Sequence, residues 1–139
     1  MTERPADLPV LVIDGAAFTD FEGFRREFAA LLHDYVWHGS LDAFNDILRG
    51  GFGTPEGPWV LRWLSSERSR QSLGHEATLT RLEMLVSTCH PSHVEDFRRR
   101  INAARRRQGP TLFDEMVEII RVHGPGGEEE EDGVLLDLR

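Results

Sequence analysis

Three short apolar runs set the terms for this chain: VLVID at 10–14, WVLRWL at 59–64 and VLLDL at 134–138. Each has the length of a strand and the continuous hydrophobic character of one buried in a parallel sheet. The segments between them repeat apolar residues at three- and four-residue spacing, which is the helical period. Strands separated by helices are joined by crossovers, and a crossover makes neighbouring strands parallel. The expectation is therefore an α/β fold, a small three-stranded parallel sheet with helices packed on it. A length of 139 residues suits one domain, 1–139, with a single core.

The helical segments read as follows. Residues 19–32 carry the stripe Phe21, Phe24, Phe28, Leu31 and Leu32, with Thr19 and Glu22 spaced as a capping box. Residues 76–89 carry Leu79, Leu82, Val86 and Cys89, and Pro91 ends them. Residues 92–107 restart with a second Ser/Glu spacing, Ser92 and Glu95, and 111–124 form another amphipathic helix. SSERSRQSLG, after the second strand, fits a loop or a short helix. The polar stretch 1–8 and the glycine- and glutamate-rich stretch 125–133 read as flexible.

One further helix, GSLDAFNDILRGG at 39–51, has an unusual outer face. Leu41, Phe44 and Leu48 share one side, with Ser40 the expected N-cap and Gly50 or Gly51 the stop. Asp42, Asn45, Asp46 and Arg49 share the other. Asp42 and Asp46 are one turn apart, where like charges repel by a few tenths of a kcal/mol. Two carboxylates held together at that cost suit a helix that presents negative charge to a cationic partner.

Net charge narrows the partner further. The formal charge is −8, which argues against nucleic acid and against an anionic membrane surface, since both need a basic face. A basic protein fits, because opposite fields speed encounter. Every basic residue is arginine. The single cysteine, Cys89, permits no internal disulfide, and neither a secretory signal nor a membrane-spanning run is present, so a cytoplasmic location is expected.

Taken together, VIDGAAFTDFEGFRREFAALL, WHGSLDAFNDILRGG, WVLRW, a last helix and a short C-terminal strand resemble the barstar family. LDAF resembles the NLDAL motif that opens that family's second helix. The resemblance covers 10–72 and 111–139, and leaves about 75–110 as a helical insertion without counterpart in the short members. It implies an intracellular inhibitor of barnase-type ribonucleases, which plugs the enzyme's active site with an acidic helix. Asp42 stands in the motif's aspartate, and Asp46 at the position of the dominant charge. Asn45 stands where the family has a tryptophan, Val36 and Trp37 near a tyrosine pair, and Gly39 and Ser40 in the connecting loop. Glu118 is the nearest match to a contacting glutamate in the last helix. The partner-binding set implied is Trp37, Gly39, Ser40, Asp42, Asn45, Asp46 and Glu118, with no cofactor, no metal and no catalytic activity of the chain's own.

Other readings stand beside this one. The acidic face alone also fits a solvated helix surface, with Asp46 paired to Arg49. Trp59 and Trp63 alternate on one strand face and belong to a core, which leaves Trp37 as the aromatic contact. Cys89, His90 and His93 lack the second ligand pair a zinc site needs, and His75 and His123 sit at helix boundaries, where capping or solvation is usual. The arginines of 97–107 could touch RNA or pair with neighbouring acids. A barstar-fold adaptor for another basic protein is the first alternative function, and an RNA-associated module the second.

Overall fold

A computed structural model describes residues 8–139; most of the amino-terminal stretch expected to be flexible, residues 1–7, lies outside them. Strands β1 (Val10–Asp14), β2 (Trp59–Leu64) and β3 (Val134–Leu138) form one parallel sheet in that order, with β2 in the middle. The register pairs Leu11 with Leu61 and Leu61 with Leu136, so the three leucines stand in a row on one face. Ile13, Trp63 and Leu138 form the next row of that face.

Helices α1 (Phe21–Ala29), α2 (Leu41–Arg49) and α6 (Leu112–Val122) close this face, and their buried residues form one core with it. The opposite face is more open. Val12 of β1 is 42% exposed, and its row continues into the Arg62–Asp137 ion pair, 2.9 Å long. The first strand is thus buried on one face only, the face that these helices cover.

The core is strongly aromatic. Phe24 stacks on Trp63 at 5.1 Å and meets Phe28, Phe44 and Trp37 at about 6 Å. Trp37 itself is 1% exposed, which corrects its reading as a surface contact. Its indole packs between Phe21, Phe24 and Phe28 of α1 and Phe44 of α2. Its Nε1–H donates to the Ser40 carbonyl at 2.8 Å, so the ring that packs the loop also holds the start of α2.

Two helix starts differ from their expected caps. The N-cap of α1 is Asp20, whose side chain accepts from the Gly23 N–H at 2.8 Å. Glu22 turns instead to Arg25, 2.7 Å away, so no box forms with Thr19. Ser92 lies in a 3-10 turn, Pro91–His93, and α5 (Val94–Arg105) begins after it without a side-chain cap. A capping box does form between Thr111 and Asp114, at the start of α6.

Short helix α3 (Ser66–Ser72) follows β2, and its Ser69 accepts the Trp63 indole N–H at 2.9 Å. Gly15 lies against this point, where an added Cβ would stand 2.4 Å from Ser69 Oγ and 2.6 Å from the Ser65 carbonyl. Helices α4 (His75–Val86) and α5 pair around a small core of their own, Leu82, Ile101 and Ala104. Thr78 Oγ1 accepts the Leu112 N–H at 2.7 Å and joins this pair to α6. Among the described residues no helix is long and apolar enough to cross a membrane.

Removing Trp37 therefore costs both packing and a hydrogen bond. Trp37→Ala is expected to destabilise by about 3–5 kcal/mol, the range for large aromatic truncations in cores. Trp37→Phe keeps most of the volume and removes one of the two donors to the Ser40 carbonyl, which keeps the Phe44 N–H at 2.9 Å, for about 1 kcal/mol. Urea unfolding of the two variants checks the ranking.

Candidate functional site

The sequence of α2 explains its posture. Phe44, Ile47 and Leu48 are buried, which turns Asp42, Asp46 and Arg49 outward. Ser40 caps the helix by accepting from the Ala43 N–H at 3.3 Å. Gly50 stops it at φ 104°, a left-handed value that favours glycine.

The loop before α2 is braced from two sides. Arg25 Nη1 donates to the Trp37 carbonyl at 3.1 Å, and Arg81 Nη2 of α4 donates to the Gly39 carbonyl at 3.2 Å. Gly39 is buried at φ 102°, where a Cβ would come within 3.4 Å of the Arg25 side chain. The Arg81 guanidinium also lies 4.5 Å over the Phe21 ring, and burial pulls its pKa down. Helix α4 thus supports the loop that precedes the acidic helix.

Asp42 and Asp46 are both exposed, and they differ in what they meet. Asp42 makes no ion pair among the described residues and stands at the mouth of a 340 Å³ hollow shared with Ser40, Arg81, Arg100 and Glu115. Asp46 is 54% exposed by side chain and accepts from Arg49 Nη1 at 2.6 Å. Arg49 reaches on to Glu129, with Nε at 2.8 Å and Nη2 at 3.2 Å. Its hydrogen bonds hold the Glu129 carboxyl below the usual glutamate range, and Glu129 raises the Arg49 pKa in return.

Asn45 is turned inward rather than toward a partner. Its Oδ1 lies 2.7 Å from His123 Nε2, and His123 Nδ1 lies 2.7 Å from Asp132 Oδ2. His123 is 0% exposed, so it is neither a solvated nor a simple capping histidine at the end of α6. The polar side chain at 45 serves this buried link, which an apolar residue there could not make. His123, Glu129 and Asp132 took no part in the site read from sequence. The one signal for them was the asparagine itself, a polar residue at the edge of a buried helix face.

Glu129 is drawn against α2 by Arg49, and Asp132 is held through His123. Glu130 accepts from the Gly126 N–H at 3.0 Å, and residues 130–132 form a 3-10 turn. His123, Glu129 and Asp132 also bring three ligand atoms within 4.8 Å of one another. Their groups already satisfy each other and Arg49, and the 2.7 Å contact between His123 and Asp132 is a hydrogen-bond distance. Cys89 is partly buried and donates to the Val86 carbonyl at 3.5 Å, and His90 Nδ1 lies 2.7 Å from Ser92 Oγ.

Glu118 is exposed on α6 and lines a hollow with Arg121 and β3, to which α2 contributes no residue. Glu115, one turn earlier, shares the hollow at Asp42 instead and pairs with Arg100 at 3.3 Å. The arginines of α5 are largely compensated: Arg98 meets Glu95 at 3.6 Å, Arg99 meets Asp96 at 2.8 Å and Arg105 meets Glu83 at 3.2 Å.

The Arg49–Glu129 pair carries a pH dependence. The folded-state pKa of Glu129 is lowered from its ordinary 4.5, so its contribution to stability is present above that value. It is lost as pH falls through the lowered folded value. Glu129→Gln is expected to be less stable than the parent at pH 7, with the difference closing in acid. Denaturant titrations across pH 2–7 (about the carboxylate range and above it) read this directly.

Comparison with known families gives one match: the family described as Barstar (barnase inhibitor) matches residues 8–99. The match runs from β1 through α2 and β2 into α5, and so takes in much of the helical pair read as an insertion. No curated protein and no solved structure matches the chain.

Proposed function

The chain belongs to the Barstar (barnase inhibitor) family, and from that premise we propose that it binds a basic ribonuclease of the barnase type, or a ribonuclease toxin, and blocks the active site with α2. The observation that carries this reading is the pair of exposed carboxylates, Asp42 and Asp46, on a helix fixed at its start by Trp37, Arg25 and Arg81. A ribonuclease active site is cationic, because it must hold a phosphodiester and stabilise the charge that grows in the transition state. Carboxylates delivered into that site take the hydrogen bonds meant for phosphate. A rigid helix delivers them with little ordering cost, and its bulk excludes the substrate.

Asp46 is the principal contact in this proposal and Asp42 the second. Gly39 and Ser40 shape the approach by holding the start of the helix. Trp37 and Asn45 act from behind, through the core and the His123 link. Glu118 is the outlying member of the set. The protein acts in the cytoplasm and performs no chemistry of its own.

Asn45 and the helices α4 and α5 favour a second reading, a barstar-fold adaptor that docks on some other basic protein. An RNA-associated role has less support, since four arginines of α5 are paired with acids.

Titration into a barnase-type ribonuclease assay tests the proposal. The parent is expected to inhibit, and Asp46→Ala to weaken inhibition by about ten- to a hundredfold, as for loss of one hydrogen bond to a charged group, about 1.5–3 kcal/mol. Arg98→Ala, on α5, is expected to leave it within about twofold, since exposed pairs contribute about 0–1 kcal/mol. Equal effects of the two substitutions overturn the assignment of the site to α2.

A further inference from the structure

Arg49 closes the outward face of α2 from within. Its guanidinium grips two carboxylates at once, Asp46 on its own helix and Glu129 from a loop 80 positions away. The i, i+3 spacing alone would give Asp46 only a loose, solvated partner. Glu129 changes that. Its backbone N–H donates to the Val122 carbonyl at 2.9 Å, and three residues later Asp132 is fixed by buried His123. The far end of the grip is therefore anchored to α6, and Arg49 is oriented toward Asp46 by the tertiary fold. Arg49 Nη1 occupies one of the two oxygens that Asp46 would offer to a cationic partner.

We propose that Arg49 is a specificity-determining residue: an internal cation that occupies Asp46 in the free protein and must be displaced by the partner's cation, while Glu129 keeps hold of the released guanidinium. This rests on Asp46 being the partner contact. The exchange is cheap, because an exposed ion pair is weak and Glu129 continues to neutralise Arg49. It is also selective. A cation presented in a water-poor cleft makes a stronger bond to Asp46 than Arg49 does in solvent, and displaces it. A diffuse basic surface gains little over the bond already present. The arrangement disfavours weakly basic proteins without weakening the fold.

The test is a double-mutant cycle on binding to a barnase-type ribonuclease, with the parent, Arg49→Gln, Asp46→Ala and the double variant. Arg98→Gln, which removes the same charge from a pair on α5, serves as the control. Thermal midpoints establish that each variant is folded. Arg49→Gln is expected to tighten binding by about two- to fivefold, more than Arg98→Gln does, and to give no gain when Asp46 is already alanine. An equal gain from Arg98→Gln, a gain that survives in the Asp46→Ala background, or weaker binding by Arg49→Gln overturns the inference. If Asp46→Ala weakens binding while Arg49→Gln changes nothing, the inference falls and the function stands. If the parent does not bind, or Asp46→Ala binds as the parent does, the proposed function falls and takes the inference with it.

Discussion

The indole of Trp37 is the contact on which the rest of this structure turns. It sits among Phe21, Phe24, Phe28 and Phe44, so the loop before α2 cannot leave without opening the core. Its N–H holds the Ser40 carbonyl, so α2 begins at a fixed point. A helix whose start is fixed by burial and whose inner face is Phe44, Ile47 and Leu48 has no freedom to rotate. The acidic side chains point outward as a consequence of where the apolar ones go. Precision on the surface is thus supplied by hydrophobic burial beneath it.

Polar contacts then join distant parts of the chain to this helix. The Asn45–His123–Asp132 link is sheltered, where a hydrogen bond to a buried ring is costly to leave unmade. The Arg49–Glu129 pair is exposed and weaker, yet it is the one that reaches Asp46. The two links pull the glutamate-rich segment 128–132 onto α2. Acidic features 80 residues apart thereby form a single face with an arginine set in it.

Helices α4 and α5 have a structural part to play whatever their partner. They carry their own small core, which keeps α4 and α5 together, and Arg81 reaches from α4 to the loop carbonyl at Gly39. Four arginines of the basic stretch that stood out in the sequence are paired with Glu83, Glu95, Asp96 and Glu115. Their hollow beside Asp42 mixes both charges, in contrast to the acidic outer face of α2.

The linear sequence by itself determined the three strands, their parallel direction, the run of helices and the outward placement of Asp42 and Asp46, because apolar periodicity is a local property read residue by residue. Ser40 as a cap and Gly50 as a stop were equally local. The helix starts expected at Thr19 and Ser92 fall elsewhere, since Asp20 takes the Gly23 N–H at the first, and at the second His90 Nδ1 accepts the Ser92 N–H and a 3-10 turn precedes α5. What only the tertiary structure decided was partnership. Whether Trp37 lies in the core or on the surface depends on the gap between α1 and α2. Whether His123 is solvated depends on Asn45 and Asp132, which reach it from 78 and 9 positions away. That Arg49, which local spacing already sets beside Asp46, also grips Glu129 is decided by the folded chain alone. Periodicity tells which way a side chain faces; what it faces is settled by long-range packing that no local pattern encodes.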